Sequence, residues 1–243
     1  MNNKSVGNTA RLAGAALRAL LILTLVTGVL YPLAVTGVAQ ALFPGKANGS
    51  EITDSSGKAV GSSLIGQTYN LPLKDGEDTP RPDLKWFQPR PSNGLGTNSV
   101  NTQYELILSG ATNRSGEDGA EHDKETGKAS CPAEPAEGTL CAQVKDALAA
   151  VTADNKATGY TVDPSDIPAD AVTSSGSGLD PHISPAYAEL QVHRVAERNG
   201  LSVGQVERLV EQHTDGRILG FVGEPRVNVL ELNVALRELV HPK

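Results

Sequence analysis

The sequence predicts an α+β protein with one N-terminal transmembrane helix followed by a single extracytoplasmic α+β domain. Three observations support this: an uncharged apolar run near the N-terminus, a middle region of short extended pieces broken by Gly and Pro, and helix start and stop signals in the C-terminal third. The 243 residues leave room for one domain and an anchor. The predicted parts are a short cytoplasmic N-terminus (1–18), a transmembrane helix (19–43) and the domain (44–243), which contains a flexible insertion (114–140).

The apolar run contains no charged residue from Ala19 to Gly45. A helix of about 20 apolar residues crosses the hydrocarbon core of a bilayer, because each residue adds about 1.5 Å. The charges before the run are all basic (Lys4, Arg11 and Arg18). By the positive-inside rule we expect the N-terminus in the cytoplasm and the domain outside it, in the cell membrane as a single-pass protein.

A cleaved signal peptide is the alternative to a retained anchor, because Ala39-Gln40-Ala41 resembles a cleavage site. The run is longer than the roughly 7–15 apolar residues of a signal peptide, and this favours the anchor. Cleavage after Ala41 would release a secreted binding protein instead. No second apolar run of spanning length follows, so the chain cannot form a transport path alone. Small residues that would allow close helix contact are Thr24, Thr27, Gly28, Thr36 and Gly37.

The domain begins with short extended pieces over 47–110, where Asp54-Ser-Ser-Gly57 predicts a turn between two strands. Residues 111–140 are polar and nearly devoid of large apolar side chains, which is typical of a solvated insertion or a disordered loop. A modest helix is predicted over 141–154, where apolar residues fall on one stripe.

Three helices are predicted in the C-terminal third, each from a capping pattern. A strand is predicted between the second and third helices, over Arg217–Val222. Gly200 is expected to end the first helix. The start signals are Ser184 before Pro185, Ser202 with Gln205, and Asn228 with Glu231.

Charge and cysteine content limit the possible partners. Without the three basic residues before the apolar run, 18 basic and 28 acidic residues remain, a formal charge of −10. A domain of that sign repels nucleic acid and anionic headgroups, so we expect no nucleic-acid partner. Cys131 and Cys141 are either a disulfide, which an extracytoplasmic domain allows, or two free thiols in a variable loop. The five His are dispersed and no zinc spacing is present, so no metal site is predicted.

The loop Ser174-Ser-Gly-Ser-Gly-Leu-Asp-Pro-His182 contains the residue types of a hydrolase, and Ser177, Asp180 and His182 would be its catalytic group. The loop lacks the G-x-S-x-G spacing of a nucleophile elbow, and the chain lacks a Walker pattern for nucleotides. The structural interpretation is a glycine-permitted turn that leads into the Ser184 cap. An anchored extracytoplasmic hydrolase or binding protein therefore remains the alternative function.

Several segments together resemble the C subunit of Kdp-type potassium-transporting P-type ATPases. Residues 114–140, with both cysteines, look like an insertion relative to that family, and Ser109-Gly-Ala-Thr-Asn113 only approximates one of its blocks. The matching segments are Tyr31-Pro-Leu33, Phe43-Pro44, Ala47–Ser50, Gly61–Gln67, Trp86–Ser92, Val172–Pro185, Gln191 with Arg194–Ala196, and Leu219–Asn233.

The resemblance implies an accessory, non-catalytic subunit that assembles or stabilises an ATP-driven potassium importer. Its implied partners are a channel-like potassium-binding subunit, an ATP-hydrolysing P-type subunit, a small membrane peptide and the lipid bilayer. The subunit would have no cofactor of its own, since the complex handles ATP and potassium. The resemblance further implies a catalytic chaperone that raises the ATP affinity of the hydrolysing subunit. The loop linked to that role contains Ser174, Ser175, Gly176, Ser177, Gly178 and Asp180. Because the loop is predicted to lie outside, we expect this effect to be indirect.

Overall fold

The computed structural model describes residues 3–74, 76, 80–91 and 116–241. The block at 109–113 that only approximates the family pattern lies outside the described residues. The chain divides into two compact units, Met1–Glu51 and Ile52–Lys243. The mixture of helices and small sheets confirms the predicted α+β class.

The first unit is a helix that runs through α1 (Asn3–Leu25), a π-helical turn (Val26–Leu30) and α2 (Tyr31–Leu42). Its apolar part, Gly7–Leu42, is 36 residues long and is the one helix of the described residues that is long and apolar enough to span a bilayer. Pro32 lies just after the π-helical turn. A proline ring collides with the carbonyl four residues earlier, and a wider turn relieves that collision. A short helix, α3 (Pro44–Ala47), follows.

The second unit opens with a hairpin made of β1 (Glu51–Thr53) and β2 (Ala59–Ser62). The predicted turn between them is confirmed: the Gly57 amide donates to the Asp54 carbonyl, and Gly57 has a φ of 79°. Asp54 Oδ1 also accepts from the Ser56 and Lys58 amides. Hydrogen bonds led by that of the Ser56 hydroxyl lower the pKa of Asp54 to about 2. The carboxylate therefore stays ionised and holds the turn closed.

The described part of the predicted insertion, 116–140, contains an antiparallel hairpin of β3 (Glu121–His122) and β4 (Ala129–Ser130). Directly after β4, Cys131 forms a disulfide with Cys141, which lies in α4 (Leu140–Asp154). The two Cα atoms are 5.4 Å apart. The hairpin is thus tied covalently to the start of a helix that packs on the domain core.

We expect Cys131→Ser to lower the free energy of unfolding by about 2–3 kcal/mol, because the disulfide no longer restricts a loop of about ten residues in the unfolded chain. Urea denaturation of the detergent-solubilised chain, followed by Trp86 fluorescence, measures the change. Wild type in reducing agent is the matched control and should unfold at the same urea concentration as the variant. Equal stability of the variant and the oxidised wild type would contradict the prediction.

The C-terminal part combines a three-stranded antiparallel sheet, in the order β5-β7-β6, with four helices. A 3₁₀ turn at Pro164–Asp166 precedes it. The remaining elements are α5 (Ala169–Val172), β5 (His182–Ile183), α6 (Pro185–Asn199), α7 (Val203–Gln212), β6 (Thr214–Asp215), β7 (Arg226–Asn228) and α8 (Val229–Val240).

The three predicted capping patterns are confirmed. Ser184 Oγ accepts from the Tyr187 amide at the start of α6, and Gly200 ends α6 in the left-handed conformation. Ser202 and Gln205 form the capping box of α7. Asn228 Oδ1 accepts from two amides in the first turn of α8. Each cap satisfies helix-terminal amides that would otherwise lack a partner.

The predicted strand Arg217–Val222 is wrong. This segment is an exposed tight turn in the connection between β6 and β7, and Ile218 and Val222 form an isolated bridge across it. Leu219 and Gly220 both have positive φ, 55° and 80°, which reverses the chain where a strand would continue. The strands lie on either side of the segment.

The core of the second unit is formed mainly by Val, Leu and Ala side chains of α6, α7, α8 and β7, together with Tyr69, Trp86 and Phe87. A buried polar network holds the segment that carries the last two residues. Asn233 both accepts from the Phe87 amide and donates to the Phe87 carbonyl, each at 2.9 Å. Gln191 makes the same pair of contacts with the backbone of Gln88, at 2.7 and 3.2 Å.

Arg194 lies beside these amides on α6 and is 1% exposed. Its guanidinium donates to the carbonyls of Leu84 and Trp86, to Asn155 Oδ1 at 2.9 Å and to Gln191 Oε1 at 2.6 Å. Burial lowers the pKa of Arg194 to about 10, so the group stays charged at neutral pH. The arginine therefore joins an irregular segment to α6 and to the end of α4.

Candidate functional site

The Ser/Gly loop predicted from the sequence connects α5 to β5, next to the central strand of the small sheet. β5 pairs with β7, with His182 opposite Asn228. The amide of Val229, the first residue of α8, donates to the Pro181 carbonyl at 3.0 Å. Sheet and helix therefore fix the C-terminal end of the loop.

The loop is stabilised by its own hydroxyl groups. Ser175 Oγ accepts from the Gly178 amide at 3.0 Å, and Ser177 Oγ accepts from the Leu179 amide at 3.1 Å. Gly178 has a φ of 69°, which favours glycine at that position. The Gly178 and Leu179 amides, which could otherwise donate to a phosphate, thus already have partners inside the loop. Gly176 is exposed to solvent.

Ser174 and Ser175 are buried, at 4% and 7% exposure. Among the residues that the structure describes, Ser174 Oγ has no hydrogen-bond partner. The Ser174 backbone is held from outside the loop, because its carbonyl accepts from Arg90 Nη2 at 3.4 Å. Arg90 Nε donates to the neighbouring Thr173 carbonyl, also at 3.4 Å.

Arg90 also reaches the other end of the loop, where its Nη1 lies 3.3 Å from Asp180 Oδ2. One guanidinium thus joins the two ends of the loop across the glycines. The other carboxylate oxygen of Asp180 accepts from the His182 amide at 3.0 Å and lies 3.3 Å from His182 Nδ1. The side-chain contact with His182, followed by the backbone hydrogen bond and the charges of His182 and Arg90, lowers the pKa of Asp180 against the opposing effect of burial.

The three residues of the hydrolase alternative are arranged unequally. Asp180 and His182 are in contact, whereas Ser177 Oγ lies at the exposed apex and accepts from the Leu179 amide. The carboxylate holds the imidazole and the loop backbone together, as in an Asx turn. This arrangement explains how two residues on either side of Pro181 contact each other: the carboxylate turns back onto the amide two residues further on.

A cavity of about 590 Å³ lies beside the loop. Its three carboxylates already have partners: Asp170 accepts from the Ser184 amide at 2.7 Å and from Ser184 Oγ at 2.9 Å, Glu224 is paired with Arg217, and Asp180 is engaged as described. Arg90 and Arg226 supply positive charge at its wall. Both arginines are themselves paired with carboxylates, Arg90 with Asp180 at 3.3 Å and Arg226 with Asp215 at 3.7 Å, so the cavity is bordered by ion pairs.

The loop was predicted from the sequence, but the arginine that holds its two ends was not. Arg90 lies 90 residues from Asp180. Arg90 belongs to Trp86–Ser92, one of the segments that match the family, and this was the one sequence signal for its importance. A second signal was the spacing of Gln191 and Arg194, which lie three residues apart on a helix face that is otherwise apolar. Polar residues at such positions indicate a buried hydrogen-bond network.

We expect Asp180→Asn to lower the free energy of unfolding by about 1–2 kcal/mol at neutral pH, because Arg90 and His182 lose a charged acceptor. A carboxylate whose pKa is lowered by folding stabilises the fold above its ordinary pKa, near 3.8, and this stabilisation is lost as the pH falls through the lower folded value. The difference between wild type and variant should therefore shrink below about pH 4.

Thermal unfolding at pH 7, 5 and 3 measures this difference. Asp146→Asn, on the exposed face of α4, is the matched control and should unfold like wild type at pH 7. A difference between wild type and Asp180→Asn that stays constant from pH 7 to pH 3 would contradict the ionic role of Asp180.

The family described as "K+-transporting ATPase, c chain" matches residues 13–238. The Potassium-transporting ATPase KdpC subunit of Streptomyces avermitilis is 67% identical over 238 residues, covering 98% of each chain. The subunit of the same name from Streptomyces coelicolor is 64% identical, covering 99% of this chain and 98% of its own. That of Gemmatimonas aurantiaca is 42% identical over 217 residues, covering 89% of this chain and 87% of its own.

Proposed function

The chain belongs to the KdpC family, the c chains of K⁺-transporting ATPases, and we propose that it assembles or stabilises its complex and raises the ATP affinity of the hydrolysing subunit. As a member of that family it is an accessory, non-catalytic subunit of a potassium-transport complex. The observation that carries the proposal is the extent of the match, which runs from residue 13 to residue 238 and so includes both the apolar helix and the domain.

The proposed placement is a single-pass anchor with the domain outside the cytoplasm. Support comes from the apolar helix Gly7–Leu42 and from the basic residues at its start. The apolar side chains of this helix are exposed, so lipid or the helices of partner subunits would cover them. The proposed protein partners are a potassium-binding channel-like subunit, the ATP-hydrolysing P-type subunit and a small membrane peptide.

The proposed effect on ATP is indirect. The Gly178 and Leu179 amides donate to serine hydroxyls of their own loop, which leaves them poorly suited to cradle a phosphate. A subunit can raise ATP affinity without touching the nucleotide if it binds the ATP-ready state of its complex more tightly than the other state. The Ser174–Asp180 loop would then act through the shape that Arg90 imposes on it.

Affinity purification of the tagged chain from detergent-solubilised membranes, with mass spectrometry of the eluate, tests the subunit proposal. We expect a P-type ATPase and a multi-span subunit to co-purify, with potassium-stimulated ATPase activity. N-terminal sequencing of the same eluate tests the retained anchor. Recovery of the chain alone, cleaved after Ala41 and without ATPase activity, would contradict the proposal.

The effect on ATP needs a separate measurement, the ATP KM of the purified complex. A complex with Arg90→Ala should keep its subunits and show a raised KM for ATP, because the loop loses its brace. Arg81→Ala is the control for a general loss of positive charge, because Arg81 is exposed and precedes Trp86 in the chain. A normal KM in a fully assembled Arg90→Ala complex would contradict a role of the loop in ATP affinity.

A further inference from the structure

Among the described residues of the second unit, the two most exposed large apolar side chains lie in the turn that replaces the predicted strand. Leu219 is 82% exposed, Phe221 73% and Ile218 61%, with Val222 beside them. These four residues form the apolar tip of the β6–β7 connection. Folded domains rarely leave such a contiguous apolar group in water unless a partner covers it.

The backbone of the apolar tip is fixed. The Ile218 amide donates to the Val222 carbonyl at 2.9 Å, and the Val222 amide donates back to the Ile218 carbonyl at 3.0 Å. Leu219 has a φ of 55°, a conformation that costs a leucine energy and that Asn or Gly adopts more readily. A leucine held in this conformation and almost fully exposed gains nothing from its own domain. A contact outside the domain explains both features together.

The base of the tip is rigid and its charges are balanced. β7 is the central strand of its sheet, and Val227 on it is fully buried. Arg217 Nη2 lies 2.6 Å from Glu224 Oε2, and Arg226 Nε lies 3.7 Å from Asp215 Oδ2. Each arginine beside the tip is thus paired with a carboxylate.

These charges favour a protein over a lipid surface as the partner. Loops that insert into membranes combine apolar side chains with unpaired basic residues that contact headgroups. Here the neighbouring basic residues are neutralised, and residues 19–243 carry a formal charge of −10, which anionic headgroups repel. An uncharged apolar recess on a protein needs no unpaired basic residues and does not repel an acidic domain.

We propose that the apolar tip docks into an apolar recess on another protein subunit of the potassium-transport complex. The inference rests on the proposed function, because that function supplies the partner. It adds the surface used: Leu219 and Phe221 are the anchor side chains, presented by a turn that is rigid before binding, so little order is lost on docking.

The test compares two asparagine variants of the full-length tagged chain. Leu219→Asn with Phe221→Asn removes the two anchor side chains and preserves the turn, since asparagine tolerates a positive φ. Leu64→Asn removes an exposed leucine elsewhere, at 63% exposure, and is the matched control. Membranes are solubilised in detergent, and the partner subunits retained per tagged chain are quantified by mass spectrometry.

We expect the double variant to retain about one tenth of the partner subunits or less, as for loss of two anchor residues, and the control to match wild type. Equal unfolding temperatures of the double variant and wild type would show that the loss is not a folding defect. If wild type retains the partners and the double variant retains them equally, the inference fails while the proposed function stands. If wild type retains none, the proposed function fails.

A photoreactive benzoylphenylalanine in place of Phe221 identifies what covers the tip. Irradiation of membranes should give a crosslink to one partner subunit, and the same replacement at Leu64 should not give it. An adduct with lipid alone would overturn the inference in favour of membrane insertion.

Discussion

Replacing Arg194 with alanine is expected to lower the free energy of unfolding of the domain by about 3–5 kcal/mol. The guanidinium is fully buried and serves the carbonyls of Leu84 and Trp86 as well as two side-chain oxygens. Its removal leaves buried acceptors without donors and opens a cavity that small shifts cannot fill. Urea denaturation followed by Trp86 fluorescence measures the loss, because the probe lies on the segment that is released.

Arg198→Ala is the matched control, since Arg198 lies one turn further along α6 and is exposed. Its effect should stay within about 0.5 kcal/mol. Arg194→Lys should fall between the two, because an ammonium keeps the charge but cannot reach as many acceptors at once. If Arg194→Ala were as stable as Arg198→Ala, the buried network would contribute nothing to the fold.

Placing an arginine near the centre of the anchor, Leu30→Arg, should remove the chain from the membrane and therefore from its complex. On insertion scales a leucine-to-arginine change near the middle of a spanning helix costs about 3–4 kcal/mol. This corresponds to a shift of more than about 100-fold in the insertion equilibrium. Alkaline carbonate extraction, with the chain quantified in the pellet and in the supernatant, measures the shift.

Leu12→Arg introduces the same charge at the start of the same helix, next to Arg11. Since that end is expected to face the cytoplasm, the variant should stay in the pellet and keep its partners. A Leu30→Arg chain that remains in the pellet and co-purifies with a P-type ATPase as well as wild type does would refute the anchor prediction.

Helix boundaries in this chain could be predicted because the signals are local. A cap such as Ser184, Ser202 or Asn228 contacts amides two or three residues away, and the sequence shows both partners side by side. The segment Arg217–Val222 shows where local reasoning fails. Its apolar residues suit a strand, but two consecutive positive φ angles at Leu219 and Gly220 turn it into a reversal.

The candidate site was predicted only in part for the same reason. The Ser/Gly composition predicts a tight loop, and the structure has one. The contacts that fix its shape join Arg90 to residues more than 80 positions away. No single sequence reveals which distant residue supplies such a brace. Asp180 and His182 are only two residues apart, and the carboxylate turns back across Pro181 to accept from the His182 amide.

The reciprocal pairs at Gln191 and Asn233 restrict which residues these two positions accept. Each side chain donates a hydrogen bond to the carbonyl and accepts one from the amide of the same backbone residue, and both side chains are fully buried. Carboxylates cannot donate at neutral pH, ammonium groups cannot accept, and hydroxyls are too short to span both atoms. Only carboxamides of matching length fulfil both tasks, so isosteric replacement by aspartate or glutamate is as disruptive here as replacement by leucine. Each of the two positions therefore accepts one residue type. The restriction comes from the backbone of Phe87 and Gln88, which lie more than 100 residues away in the sequence.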